Sequence, residues 1–178
     1  LFSQREIEEA VSRLAEEISR DYQGKRPLLI GVLKGAFVFL ADLVRHLSIP
    51  VEIDFVRLSS YGSQMETSGI VRMGKDIESD IEGRDVIIVE DIVDTGLSLR
   101  SLRDHLLARK PSSLRICALV DKKARRQVEI DVDYVGFEIP NVFVVGYGLD
   151  YGERYRNLPY VAVLSQEEIA NSGGGDAG

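Results

Sequence analysis

The stretch VIIVEDIVDTGLS, residues 86–98, decides how this chain reads. Residues 86–89 are four apolar side chains with the length and character of a buried strand. Glu90 and Asp91 then set two adjacent carboxylates at its carboxyl end. They are costly to desolvate there, and that end of an open α/β sheet is where ligands bind. After Ile92 and Val93 comes Asp94-Thr95-Gly96-Leu97-Ser98, and Leu99, Leu102, Leu106 and Leu107 follow at helical spacing. A short loop of small and hydroxyl residues before a helix presents backbone N–H groups. With the helix N-terminus they form an anion site suited to a phosphate, to which Thr95 and Ser98 add hydroxyl donors. Taken singly, Asp94 or Ser98 reads as a helix cap and the acidic pair as solvated loop charge. Together they form a far more specific pattern.

The flanking sequence repeats the strand–helix theme. Ser3 and Glu6 have capping-box spacing, and Ile7, Ala10, Val11, Leu14, Ala15 and Ile18 make one apolar stripe, so the first segment reads as a helix. Residues 28–33 form a continuous apolar run, broken by Lys34-Gly35 and followed by Phe37, Leu40, Leu43, Val44 and Leu47 at helical spacing. Val51, Ile53 and Phe55 alternate with Glu52 and Asp54 as in a half-buried strand. Residues 59–68 are mostly polar, and residues 69–73 read as a strand returning antiparallel. Further strands are expected at residues 116–120, 134–139 and 142–147. This alternation predicts an α/β fold with a mainly parallel central sheet flanked by helices. Residues 1–170 read as a single domain and residues 171–178 as a flexible Gly-rich tail.

Composition narrows the function classes. Of 178 residues, 44% are hydrophobic and 29% charged, an ordinary globular balance. No apolar run approaches the ~20 residues of a membrane span, and the charged, amphipathic first residues do not resemble a signal peptide. The single cysteine, Cys117, excludes an internal disulfide framework and any cysteine cluster for zinc, and it reads as a small core residue. A cytoplasmic location fits. The net charge of −7 speaks against nucleic acid as a partner. It also demands local cations or metal ions wherever a polyanion binds, and Lys122, Lys123, Arg125 and Arg126 are the main basic cluster.

Residues 86–98 resemble the 5-phosphoribosyl-1-pyrophosphate (PRPP) motif of type I phosphoribosyltransferases. The resemblance extends over nearly the whole chain. LKG (33–35), SSYG (59–62), DK (121–122), VGFEIP (135–140) and FVVGYGLDYG (143–152) are similar to segments of hypoxanthine-guanine phosphoribosyltransferases, in the same order. It implies the type I fold with a small hood and a mobile lid hairpin, and Mg²⁺-dependent transfer of phosphoribose from PRPP to a 6-oxopurine. Glu90 and Asp91 would hold the ribose hydroxyls, directly or through Mg²⁺, and Asp94, Thr95, Gly96, Leu97 and Ser98 would cradle the 5′-phosphate. Asp94 would also accept a proton from the purine. The Lys34-Gly35 loop, often built around a non-proline cis peptide, would bind pyrophosphate with Arg156, and Arg126 could reach it too. Lys122 would recognise the purine O6, Phe143 would stack on the ring and Val144 would offer backbone groups to its edge. Asp150 would bind a second Mg²⁺ near the base, while Ser60 and Tyr61 would close over the site as a lid. A homodimer or homotetramer would be the working form.

Two other readings compete. One is a related phosphoribosyltransferase for another base, such as xanthine. The other is an RNA-binding regulator on the same fold, which would need the basic face that this acidic chain lacks.

Overall fold

The computed structural model describes residues 1–60 and 71–172. Helix α1 (Gln4–Asp21) starts at the expected capping box: Ser3 Oγ accepts the Glu6 N–H at 3.1 Å and Glu6 Oε1 accepts the Ser3 N–H at 3.3 Å. Its apolar stripe is buried throughout. There follow β1 (Leu28–Leu33), α2 (Phe37–His46), β2 (Glu52–Ser60), β3 (Val71–Lys75), β4 (Asp85–Val93), α3 (Leu97–Leu107), β5 (Ser113–Asp121), β6 (Tyr134–Glu138), β7 (Val144–Val145), β8 (Ala162–Val163) and α4 (Gln166–Ser172).

Six strands form one sheet in the order β3-β2-β1-β4-β5-β6, parallel except for β3, which runs antiparallel to β2. Both faces are covered, so the central strands are apolar almost without interruption. Leu29, Ile87, Val89, Cys117 and Leu119 face α1 and α2, whereas Leu28, Ile30, Val86, Ile88, Ile116 and Ala118 face α3. Cys117 lies in this core with its thiol pushed well up by burial. The antiparallel pair β7–β8 forms a separate small sheet. No helix among the described residues is long and apolar enough to cross a membrane.

The register explains where the site opens. β1 pairs with β4 only as far as Gly31↔Val89, whereas β5 stays paired with β4 to Val93↔Asp121. From Glu90 onward β4 has lost its neighbour on one side. The chain turns from the β1–β2 half to the β5–β6 half at this place, so the crevice forms at the point where strand order reverses. The acidic pair therefore sits inside the last turns of the strand ladder, not after its end as the sequence suggested.

Two expectations need correction, and a third lies mostly outside the described residues. Strand 142–147 shrinks to two residues, because Gly146, Tyr147 and Gly148 all take positive φ (98°, 52° and 96°) and bend the chain away. The expected tail starts late, since Asn171 and Ser172 belong to α4. Tyr61 and most of the lid segment 59–68 lie outside the described residues, as do residues 173–178, and Ser60 is described only as the last residue of β2.

Along residues 51–55 the alternation has the expected period, and Val51 and Phe55 pack against the core as expected, but Ile53 is 45% exposed while Asp54 is 8% exposed. Burial opposes ionisation of Asp54. Three backbone N–H groups, from Phe55 at 2.7 Å and from Glu78 and Ser79 at 2.9 Å each, nevertheless hold its carboxyl below the usual range. They also pin the β3–β4 connection. Asp54→Ala should cost about 1–3 kcal/mol at neutral pH by orphaning these donors. A carboxyl depressed on folding contributes stability above its unfolded pKa and loses it as pH falls through the folded value. The gap between wild-type and variant Tm should thus narrow in acid; an equal gap at pH 7 and pH 3 would refute this account.

Candidate active site

Along the crevice, all seven residues of the sequence-predicted anion loop (Glu90, Asp91, Asp94, Thr95, Gly96, Leu97 and Ser98) line one cleft of about 430 Å³, with Val32, Leu58, Arg125 and Gln127. Gly96 is the N-cap of α3, at φ 85°, and no side chain caps the helix. Only a long contact, 3.4 Å from the Leu97 N–H to Thr95 Oγ1, engages the first donors. The remaining N–H groups of the first turn have no intrahelical acceptor, and they open on the cleft. Capping by Asp94 or Ser98, the ordinary alternative, does not occur. A Cβ on Gly96 would also meet Arg126 Cδ at 3.0 Å and Ile130 Cγ2 at 3.1 Å, so glycine is required by space as well as by φ.

The β5–β6 connection lies across this loop. Gln127 N–H donates to Thr95 O at 2.9 Å, Arg126 Nη1 to Asp94 O at 3.0 Å, and Lys122 N–H to Val93 O at 2.9 Å. Arg126 also meets Asp121, 1% exposed, at 2.6 Å. Arg126 is thus engaged in bracing the loop, and a role toward pyrophosphate would require it to leave these partners. Its neighbour Arg125 donates from Nε to Asp94 Oδ1 at 3.0 Å.

Asp94 and Arg125 also line a second pocket of about 570 Å³, between the carboxyl end of the main sheet and the β7–β8 hood. Lys122, Val142, Phe143 and Ile169 are among its walls. Lys122 is 6% exposed, and its ammonium has no hydrogen bond or ion pair among the described residues. Burial pulls its pKa below the usual lysine range, against the attraction of Asp94. Phe143 is 41% exposed, with Tyr151 edge-on at a centroid distance of 5.5 Å. An unpaired ammonium beside a bare aromatic face suits a flat ring bearing an acceptor oxygen. Val144 is buried in β7 and is absent from the lining of this pocket.

On the other flank, β1 ends in a cis peptide between Leu33 and Lys34. Gly35 is wedged between two neighbours. A Cβ there would lie 1.8 Å from Asp91 Oδ2, and a Cβ on Gly148 would lie 2.2 Å from Gly35 O. Arg156 donates to Gly148 O at 2.7 Å and lies 3.4 Å from Asp150. Asp150 accepts the Glu153 N–H at 2.8 Å.

Glu90 and Asp91 are half-buried side by side. Burial drives both carboxyls up, Glu90 further because Asp91 is charged beside it. Such a pair calls for a cation or hydroxyl donors. No group of three or more potential metal ligands occurs among the described residues. Magnesium typically keeps waters and substrate oxygens in most positions and needs only one or two carboxylates, so this donor set fits an ion that arrives with a phosphorylated ligand. Asp150 stands apart, already engaged by Glu153 and Arg156.

A sequence model of the phosphoribosyl transferase domain matches residues 1–152. The chain belongs to the phosphoribosyltransferase family. It is 52% identical over 171 residues to a hypoxanthine-guanine phosphoribosyltransferase of Streptococcus thermophilus, covering 96% of this chain and 94% of that one. A solved hypoxanthine-guanine phosphoribosyltransferase from Bacillus anthracis, with HEPES in its active site, superposes with a TM-score of 0.90 at 50% identity, covering 93% and 97% of the two chains. Hypoxanthine phosphoribosyl transferase of Trypanosoma cruzi gives 0.93 at 45% identity, with 97% and 94% covered. The type I phosphoribosyltransferase fold expected from the sequence is the fold observed. Within this phosphoribosyltransferase site, sequence reasoning missed Arg125, Gln127, Tyr151 and Glu153. Arg125, Gln127 and Glu153 each act through a partner distant in sequence, and Tyr151, though inside the 143–152 segment, carried no assigned role.

Proposed function

We propose that this chain transfers the 5-phosphoribosyl group of PRPP to hypoxanthine or guanine, giving IMP or GMP and pyrophosphate. The observation that carries this reading is the meeting of two unlike pockets at Asp94: an uncapped helix start on one side, the unpaired ammonium of a buried lysine and an exposed aromatic ring on the other. Relatives named for this activity, at about half identity over nearly the full chain, support it.

The 5′-phosphate takes the N–H groups at the start of α3 with the hydroxyls of Thr95 and Ser98. Glu90 and Asp91 accept the ribose hydroxyls, and Lys34, Gly35 and Arg156 receive the pyrophosphate. Glu90 or Asp91 would hold Mg²⁺, which would supply charge neutralisation for the leaving pyrophosphate. The purine stacks on Phe143 and offers its O6 to Lys122. Asp94, released from Arg125, accepts the proton that the purine gives up as its bond to ribose forms.

A panel of bases with PRPP tests the assignment. Turnover with hypoxanthine or guanine is expected; turnover with adenine or uracil and with neither 6-oxopurine would overturn it. Lys122 adds a pH signature. Because burial lowers its pKa, the ammonium donor is present below that value and lost as pH rises through it. The KM for hypoxanthine should therefore rise on the alkaline side at lower pH than an exposed lysine would dictate, and Lys122→Met should flatten that limb. A wild-type profile identical to that of Lys122→Met would remove Lys122 from base recognition.

A further inference from the structure

The mouth of the crevice holds a carboxylate that neutralises two cations at once. Glu153 accepts from Lys34 Nζ at 3.3 Å through Oε2, and from Arg156 Nη2 at 3.1 Å through Oε1. Arg156 Nε adds a contact at 3.4 Å. The backbone aims this side chain: Glu153 has a left-handed φ of 66°, and its N–H is tied to Asp150 at 2.8 Å. Arg156 is tethered in turn to Gly148 O at 2.7 Å. The Glu153 and Lys34 side chains are 62% and 49% exposed, so an incoming anion can reach them.

We infer that Glu153 is a built-in stand-in for pyrophosphate, occupying Lys34 and Arg156 in the empty enzyme and yielding them when PRPP or pyrophosphate arrives. This rests on the reading that those two cations receive pyrophosphate. Two bare cations at a crevice mouth would hold a polyanionic product tightly and slow its departure. A tethered carboxylate competes for them at every moment, and the ligand's apparent affinity falls by the fraction of time the cations are occupied. Exposed ion pairs are individually weak, so Glu153 loosens the grip without closing the site. It acts through Lys34 and Arg156 and is therefore a positioning residue.

The test is calorimetric titration of inorganic pyrophosphate in buffer containing magnesium chloride. It compares wild type, Glu153→Gln, Glu153→Asp and Lys34→Met. Glu153→Gln should bind pyrophosphate roughly two- to tenfold more tightly, the size expected from two exposed ion pairs. Its KM for PRPP should fall alongside, with KM for the base unchanged. The advantage should shrink in high salt, and Glu153→Asp, which keeps the charge on a shorter arm, should fall between. Unchanged or weaker binding by Glu153→Gln, while Lys34→Met binds more weakly than wild type, would overturn the inference alone. Undiminished binding by Lys34→Met would overturn the pyrophosphate reading beneath it.

Discussion

Asp94→Asn is expected to lower kcat by roughly 10²–10⁴-fold, the contribution of a positioned general base, while PRPP affinity stays within a few-fold of wild type. The split follows from what holds the loop. Arg126 grips the Asp94 carbonyl and Gln127 grips the Thr95 carbonyl, so neither brace depends on the carboxylate. Asparagine keeps the size of the side chain and can still accept from Arg125, but it cannot take a proton. Single-turnover kinetics read the chemical step, and PRPP titration reads the cradle. Undiminished turnover would strike Asp94 from the base role. Lost PRPP binding with an intact chemical step at saturation would make it part of the phosphate grip instead.

Gly35→Ala is expected to cost roughly 10²-fold in kcat/KM for PRPP with little change in Tm. The new methyl would sit 1.8 Å from Asp91 Oδ2. The Gly35 carbonyl has no room to retreat, since it already lies against the Gly148 backbone. The side chain of Asp91 can turn away, so the fold survives, but a displacement of this size at a reacting centre is worth about two orders of magnitude. Thermal melts beside steady-state kinetics decide it. A collapse in Tm would mean that the loop yields in place of Asp91, and normal turnover would mean that the orientation of Asp91 is immaterial.

The sequence was most legible where chemistry is local. Strand, acidic pair, small-residue loop and helix lie within residues 86–107, and each constrains the next. The capping box of α1 was legible for the same reason. Partnerships across the fold were not. Arg125 meets Asp94 across 31 positions and Glu153 meets Lys34 across 119, and no spacing rule reaches so far. Asp54 was misread as solvent-facing because it is satisfied by N–H groups 24 and 25 residues downstream, which make a carboxylate acceptable where the strand is buried. The 142–147 run looked continuous because its residues are mostly apolar, yet Gly146 begins the left-handed turn, continued by Tyr147 and Gly148, that ends the strand after Val145.

The parting of β1 from β4 after Val89 has an evolutionary consequence. On the proposed roles, the residues that hold ribose and 5′-phosphate hang on β4 and α3, those that contact the base follow β5, and only Asp94 and Arg125 line both pockets among the described residues. Substitutions at walls that belong to the second pocket alone, such as Phe143 and Ile169, could then retune the acceptor while the grip on ribose and phosphate is kept. A lineage built on this scaffold could trade one nucleobase for another and still use its donor, provided Asp94 and Arg125, which serve both pockets, are kept.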